Sequence, residues 1–385
     1  MRKLAILTSH PIQYNAPLFR LLAQNSSFAV KVFYTLGKES SGFVDPGFKK
    51  TISWDVPLLK GYDYTFVKNT SSNPTTSAFN GIINPTLIKE IEDFGATHIL
   101  IYGWSFQSHL KVLRHFRGKV KLLFRGDSTL LDEKPGIKTI ARRIVLRWVY
   151  KHIDVALYVG TNNKQYYLKH AVPEHKLVFA PHAIDNDRFS QDSYYQKALE
   201  LKQQLNIALD KKVFLFAGKF ERKKNPLLLV EAFLKLNAKD TVLVMVGNGA
   251  FETELKALAQ GCERIKFLPF QNQSVMPAFY RVGDILVLPS KGPGETWGLC
   301  MNEAMACGLG IVASDKVGGA KDLIENDSNG RIFKSGNLNF LTEALAALAQ
   351  LTKEQLKDMG RQSQAKVSDW SYQNTASAIK NCVLD

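Results

Sequence analysis

The stretch Ile285-Leu286-Val287-Leu288-Pro289-Ser290-Lys291-Gly292-Pro293-Gly294-Glu295-Thr296-Trp297-Gly298-Leu299-Cys300-Met301-Asn302-Glu303-Ala304-Met305-Ala306-Cys307-Gly308 passes from a strand, through a glycine-rich turn, into a helix. Four apolar residues without alternation suit a strand covered on both faces. Gly292 and Gly294 make a tight loop at its end. A helix is expected from near Gly298 to Gly308. The N–H groups of Gly298 and Leu299 then have no intrahelical acceptor and form an anion site. Glu303 lies about a turn and a half further on, among Ala and Met that read as buried. A carboxylate there is costly without hydrogen-bond partners. A hydroxyl-rich ligand such as ribose could supply them, as could a nearby Lys or the backbone. Glu295, in the loop, is placed to bind another hydroxylated group.

The same alternation extends in both directions. Leu4–Ser9, Phe28–Thr35, Thr97–Tyr102, Val120–Arg125, Asp154–Val159 and Lys176–Ala180 read as strands, with helix-length stretches such as Pro17–Gln24 and Pro85–Phe94 between several of them. Val213–Ala217, Thr241–Val246, Ile265–Leu268, Ile285–Leu288 and Gly310–Ala313 form a second set. Two βαβα runs predict an α/β protein with two Rossmann-like doubly wound units. The expected division is 1–185, 186–370, and a closing helix in 371–385 free to cross back to the first unit. A polar join is expected at Asp185–Gln196. Gly37–Thr51 and Asn69–Asn84, rich in Ser, Asn and Thr, read as long loops of the first unit, where function often resides.

The chain has 385 residues, 45% hydrophobic and 22% charged. That composition excludes disordered, collagenous and fibrous classes. No apolar run approaches the ~20 residues that cross a bilayer. The basic start, Met1-Arg2-Lys3, leads an apolar run too short for a signal peptide, so an unprocessed cytoplasmic protein is expected. Cys262, Cys300, Cys307 and Cys382 show neither C-x-x-C nor zinc spacing, so they read as small, buried or half-buried reduced residues.

The net charge of +15 is uneven. Residues 1–185 hold 25 Lys and Arg against 13 Asp and Glu, and the remainder 25 against 22. The excess peaks where Lys134, Lys138, Arg142, Arg143, Arg147 and Lys151 interleave with Ile137, Ile140, Ile144, Val145, Leu146 and Trp148. This reads as a basic amphipathic helix. Anionic membrane lipid, a phosphorylated acceptor and nucleic acid each suit it, as does a solvated helix face with one stripe in the core.

After Val213–Ala217 comes Gly218-Lys219-Phe220-Glu221-Arg222-Lys223-Lys224-Asn225-Pro226. Asn225 is a good helix N-cap and Pro226 fits the first helical position. Lys219 and Lys224 then gather at a helix N-terminus in a way that suits a phosphate, and taken alone the motif also reads as a solvated basic loop.

Three motifs now follow one another in order. They are Gly218–Lys224, the pair Glu295 and Glu303 with seven residues between, and Gly318-Gly319-Ala320-Lys321-Asp322-Leu323-Ile324. Together they resemble the signature of the large retaining glycosyltransferase family conventionally numbered four, which has the GT-B fold. Val246-Gly247-Asn248-Gly249 and Ala180-Pro181-His182-Ala183-Ile184-Asp185 resemble its third strand with turn and its interdomain linker. The likeness covers about residues 180–335. It implies that Lys219 and Lys224 hold the donor's diphosphate and stabilise the leaving group. It implies that Glu303 binds the nucleotide ribose and that Glu295 contacts the donor sugar's hydroxyls. The N–H groups of Gly298 and Leu299 would touch the diphosphate, Gly218 would line the same site, and the backbone at Pro269 and Phe270 would receive the base.

This chain departs from the family at three places. Lys219 stands where Arg is usual, giving a point charge instead of a bidentate grip. Asp322 stands where Glu is usual. The first strand leads into Ser9-His10-Pro11-Ile12-Gln13-Tyr14-Asn15 rather than a Gly-rich turn. His10, Gln13 and Asn15 become candidate donor or acceptor contacts, and His10 also reads as a turn histidine without a ligand.

Breaking a sugar–phosphate bond leaves negative charge on the diphosphate and positive charge on the ring. Fixed lysines and a helix N-terminus meet the first need, and no Asp-x-Asp motif is present, so no metal or other cofactor is expected. A retaining reaction can use a carboxylate nucleophile, and Asp127, in Phe124-Arg125-Gly126-Asp127-Ser128 at a strand end of the first unit, is the candidate. The resemblance implies front-face attack by the acceptor, with Asp127 orienting acceptor or sugar. The expected partners are a nucleotide sugar, UDP-linked first and GDP-linked next, a glycan or lipid-linked acceptor, and an anionic membrane surface at 134–151. Three rivals are a GT-B-fold epimerase, a dinucleotide-dependent oxidoreductase suggested by Gly247-Asn248-Gly249, and a nucleic-acid binder suggested by charge alone.

Overall fold

The computed structural model describes residues 1–37 and 54–385, and between them only two short paired strands, Val44–Asp45 and Lys50–Thr51. Apart from Gly37 and those strands, the loop expected at Gly37–Thr51 lies outside the described residues.

The chain forms two α/β units. One contains Thr51–His182 together with both chain ends, Met1–Phe43 and Tyr372–Asp385; Ala183–Ser371 belong to the other. The first is built on seven strands in the order Asp63–Phe66, Phe28–Tyr34, Arg2–Thr8, His98–Tyr102, Lys121–Arg125, Val155–Tyr158, Leu177–Phe179. Every neighbouring pair is parallel. The second has six parallel strands in the order Ile265–Leu268, Thr241–Val246, Lys212–Ala217, Ile285–Leu288, Gly310–Ser314, Gly330–Phe333. Each unit is thus Rossmann-like. Strands such as Thr241–Val246 and Ile285–Leu288 are buried along their whole length, as expected with helices on both faces.

The strand order of each sheet reverses once. In the first unit the reversal lies between Arg2–Thr8 and His98–Tyr102, and in the second between Lys212–Ala217 and Ile285–Leu288. Crevices that receive ligands open at the carboxyl ends of the strands at such points.

Asp185–Gln196, expected as a polar join, is largely helical. Asp185 caps the helix Asn186–Ser190 by accepting the Arg188 N–H at 3.2 Å, and Ser193–Gln204 follows. The loop at Asn69–Asn84 is tied by its two end asparagines. Asn69 Nδ2 donates to Gly81 O at 2.9 Å and its Oδ1 accepts the Ile83 N–H at 2.9 Å, while Asn84 Nδ2 donates to Thr35 O at 2.9 Å. The helix Tyr372–Leu384 packs on Ala16–Ala23 and Arg2–Thr8. The Arg2 guanidinium donates to Val383 O at 2.6 Å, and Thr375 Oγ1 donates to Pro181 O at 2.9 Å. Among the described residues no helix is long and apolar enough to cross a membrane. All four cysteines are free, with Cys307 and Cys382 buried and Cys262 and Cys300 half-buried.

Candidate functional site

The two motifs of the second unit sit at its reversal point. Gly218 follows the strand Lys212–Ala217 and Pro289 follows Ile285–Leu288, and these strands are neighbours in the sheet. Two contacts lock the loops together. The Lys291 N–H donates to Lys223 O at 2.8 Å, and Lys224 Nζ lies 2.7 Å from Glu295 Oε2. Ser290 Oγ donates to the same carboxylate oxygen at 3.0 Å. Glu295 is 7% exposed, so this is a nearly dry ion pair. Burial acts to lower the Lys224 pKa, but the Glu295 carboxylate and Cys300 more than reverse it, and the net shift is upward. Lys224 is therefore a fixed cation at neutral pH. Lys219 is half-buried in the same loop, and Arg222 is exposed.

Asn225 and Pro226 take the expected positions at the start of Pro226–Lys235, with a difference in the cap. Asn225 adopts the left-handed conformation, φ 52° and ψ 47°, and its side chain makes no capping bond. Asn tolerates that region better than most residues.

The second helix runs Leu299–Ala306, with Gly298 at its N-cap and φ 91°. Gly298 O accepts the Met301 N–H at 2.9 Å, which leaves the Gly298 and Leu299 N–H groups at the open end of the helix. Glycine is required at Gly298 twice over. The positive φ disfavours a side chain, and a Cβ would lie 2.8 Å from Val317 Cγ1. The Gly318-Gly319 turn closes against the same loop. The Gly318 N–H donates to Glu295 O at 3.0 Å and the Gly319 N–H to Trp297 O at 2.9 Å. Asp322 lies just beyond, in the short helix Ala320–Leu323.

Glu303 is 3% exposed and accepts the Tyr280 hydroxyl at 2.7 Å. The Tyr280 hydroxyl is thus a partner that the sequence did not offer. Tyr280 ends the helix Met276–Tyr280 and nothing in its local sequence marks it. Ser290, the partner of Glu295, was missed for the opposite reason, because a serine after a strand is commonplace.

Pro269 and Phe270 follow the strand Ile265–Leu268, next to the turn at Gly247–Gly249. Asn248 Oδ1 accepts the Phe270 N–H at 2.6 Å, so the turn holds the segment proposed to receive a base. The Gly247 and Gly249 pair has a packing explanation. A Cβ on Gly247 would sit 1.9 Å from Gly218 O, and one on Gly249 would sit 2.5 Å from Phe220 O. These glycines let the Gly247–Gly249 turn press against the Lys219 loop, which accounts for them without a dinucleotide.

In the first unit, His10, Gln13 and Asn15 follow the strand Arg2–Thr8 at that sheet's reversal point, all half-buried. Ser9 Oγ lies 2.9 Å from His10 Nδ1, and burial pushes the His10 pKa down. Asn15 stands at the N-cap of Ala16–Ala23 without a side-chain capping bond. Asp127 follows the strand Lys121–Arg125, with its side chain 47% exposed. The structure brings it to His182, whose Nε2 lies 4.0 Å from Asp127 Oδ2. Arg125, two residues before Asp127, is buried and donates to Ala180 O at 2.8 Å and Pro181 O at 2.9 Å. Burial first, and then the Arg125 charge, lowers His182 to about 4 against the opposing pull of Asp127, so its imidazole is neutral at pH 7. The sequence showed His182 only as part of a linker motif.

His109, which the sequence left without a role, is fully buried. Its Nε2 lies 2.9 Å from Thr35 Oγ1 and its Nδ1 lies 3.0 Å from Gly103 O. It ties strand-end loops of the first sheet together. Among the described residues, no group of three or more His, Cys, Asp or Glu side chains is arranged to hold a metal ion.

Residues 198–366, less than half of the chain, match the model of the family described as glycosyl transferases group 1. The chain is 31% identical over 165 residues to a D-inositol 3-phosphate glycosyltransferase of Xylanimonas cellulosilytica, covering 40% of this chain and 38% of the relative. It is 23% identical over 248 residues to a GDP-mannose-dependent alpha-(1-6)-phosphatidylinositol monomannoside mannosyltransferase of Mycobacterium tuberculosis, covering 62% of this chain and 63% of the relative. The chain therefore spans less than two thirds of either relative. The Anabaena protein Alr3699/HepE, solved in complex with UDP, has the same fold over the full length of both chains, with a TM-score of 0.73 and 18% identity.

Proposed function

We propose that this protein is a retaining, metal-independent glycosyltransferase of the family numbered four. It moves a sugar from a nucleotide-diphosphate sugar, UDP-linked first and GDP-linked next, to a glycan or lipid-linked acceptor in polysaccharide or glycoconjugate synthesis. One observation carries the reading. Lys224, bound to Glu295, and the open helix end at Gly298 flank the reversal point of the second sheet, within the region that matches glycosyl transferases group 1. Cations and helix N–H groups suit a diphosphate, and carboxylates suit sugar hydroxyls.

In this reading the diphosphate lies on Lys219, Lys224 and the Gly298 and Leu299 N–H groups, with Gly218 against it. The base lies by Pro269 and Phe270, and Glu303 holds the ribose. As the sugar bond breaks, charge grows on the diphosphate and the fixed lysines offset it in place of a metal. The departing phosphate takes the acceptor's proton. Asp127 orients acceptor or sugar from the first unit, and His10, Gln13 and Asn15 contact the ligand there.

A thermal-unfolding series with UDP, GDP, dTDP and ADP tests the donor. A nucleotide at about 100 times its dissociation constant adds roughly 2.7 kcal/mol, which shifts the midpoint of a unit this size by about 5–10 °C. UDP is expected to stand out. Equal shifts from all four, or none, reject a specific nucleotide site. The anomeric configuration of the product, read by NMR, tests retention.

Replacing Glu303 with Ala is expected to weaken UDP binding by about 1.5–3 kcal/mol, roughly 10- to 150-fold, as hydrogen bonds between a carboxylate and ribose hydroxyls are lost. The variant also removes the acceptor of Tyr280, so Tyr280→Phe is measured beside it and should change affinity far less. Parental affinity for UDP in Glu303→Ala would remove the ribose role.

A further inference from the structure

The helix Ile137–Tyr150 carries two apolar faces. Leu146, Val149 and Tyr150 are buried against the first unit's sheet. Ile137, Ile140, Ile144 and Trp148 are not. At 3.6 residues per turn they fall within one sector of about 80°, on the side away from Leu146. Ile137 is 86% exposed, Ile144 64% and Trp148 42%, and Val145 beside them is also exposed. Scattered surface apolar residues need no explanation, but a continuous stripe along about three turns of helix does.

Its flanks are basic. Residues 134–151 contain six Lys and Arg and no Asp or Glu. On the helical wheel Lys138 lies to one side of the stripe and Arg147 to the other, while Lys134 precedes the helix and Lys151 follows it. All four are exposed. Arg143 turns away and pairs with Glu133 at 2.6 Å. The neighbouring helix Gln107–Phe116 adds Arg114, whose guanidinium lies 5.8 Å from the Trp148 ring.

We propose that this face docks on an anionic lipid bilayer, with the isoleucines and Trp148 entering the headgroup boundary and the flanking cations meeting lipid phosphates. Charge and shape select this occupant over two others. A second copy meeting this face by a two-fold contact would set cations against cations, with no acidic residue on the helix to answer them. A nucleic acid would use the cations but leave an aliphatic stripe unsatisfied, since bases stack on aromatic rings. A bilayer takes both features, and a Trp at the boundary is favoured. The proposal concerns the first unit and is independent of the donor-site reading.

The experiment is co-sedimentation of the full chain with vesicles of phosphatidylcholine alone, and with about a third of the lipid replaced by phosphatidylglycerol. Binding is expected only to the second, and should weaken steeply as salt rises. Each cation at an anionic surface contributes about fivefold in partitioning, so K138Q/R147Q/K151Q should bind about 100-fold more weakly. I144E/W148E should fall to background. Both sets replace exposed side chains, and unchanged circular dichroism and unfolding midpoints verify the fold. Equal binding to the two vesicle types, or parental binding by either variant, overturns the proposal. So does a dimer, or a salt-sensitive shift of a DNA duplex, that these substitutions abolish in a chain that ignores vesicles.

Discussion

Replacing Lys224 with Ala is expected to lower the rate of sugar transfer at saturating donor by two to three orders of magnitude, with a smaller loss in donor affinity. The diphosphate gains negative charge as the sugar bond breaks, so a fixed cation binds the transition state better than the ground state. Removing one such preorganised group typically costs 10²–10³ in rate, about 2.7–4 kcal/mol. The ion pair adds a second consequence. Without Lys224, Glu295 keeps Ser290 but loses its counter-charge in a site where it is only 7% exposed. Breaking a buried pair from one side costs about 3–5 kcal/mol of stability. The two effects are separable. Lys224→Met with Glu295→Gln removes both charges and should recover much of the stability while leaving the rate low. Single-turnover kinetics on folded protein decide the matter. A near-parental rate at saturation would confine Lys224 to recruiting substrate.

Substituting Gly318 by Ala should destabilise the second unit by roughly 3 kcal/mol or more, at the upper end of what overpacking costs. The new Cβ would lie 1.7 Å from Thr296 O and 2.5 Å from its carbonyl carbon. Those are backbone atoms of the loop that carries Glu295, and they cannot swing aside as a flexible side chain can. The same loop is pinned by the bond from the Gly318 N–H to Glu295 O. Gly261→Ala is the control. Gly261 has a φ of 81° and open space around it, so only the conformational cost of about 1–2 kcal/mol applies. Urea unfolding of the two variants compares them. A loss at Gly318 no larger than at Gly261 would mean that the Thr296 loop yields, and that the glycine is not held there by packing.

How far the sequence could be read depended on how local each signal was. Thr241–Val246 and Ile285–Leu288 are strands over the same residues in sequence and structure, because apolar runs buried on both faces suit a covered parallel sheet. Asp63–Phe66 and Gly330–Phe333 were not foreseen. Both are four-residue edge strands, half-solvated and interrupted by polar residues, so neither carries that pattern. The helix at Leu299–Ala306 was legible from Gly298 and Gly308, which punctuate it. Its partner contacts were not. Glu303 meets Tyr280 across 23 residues, and Lys224 meets Glu295 across 71, separations that no periodicity spans. The basic helix lay between these cases. Its spacing read as a basic amphipathic helix with one apolar stripe, but only packing decides which residues go inward, and Leu146, Val149 and Tyr150 took that place.

The first unit is completed by residues from both ends of the chain, since Tyr372–Leu384 packs on Ala16–Ala23 and Arg2 reaches Val383. During synthesis a ribosome delivers residues 183–371 before that closing helix emerges. The second unit can therefore finish folding while the first still waits with a bare seat on Ala16–Ala23, although the first began to be made earlier. Vectorial synthesis thus reverses the order of completion, and an interrupted chain lacking residues 372–385 leaves the early half unfinished and the late half whole.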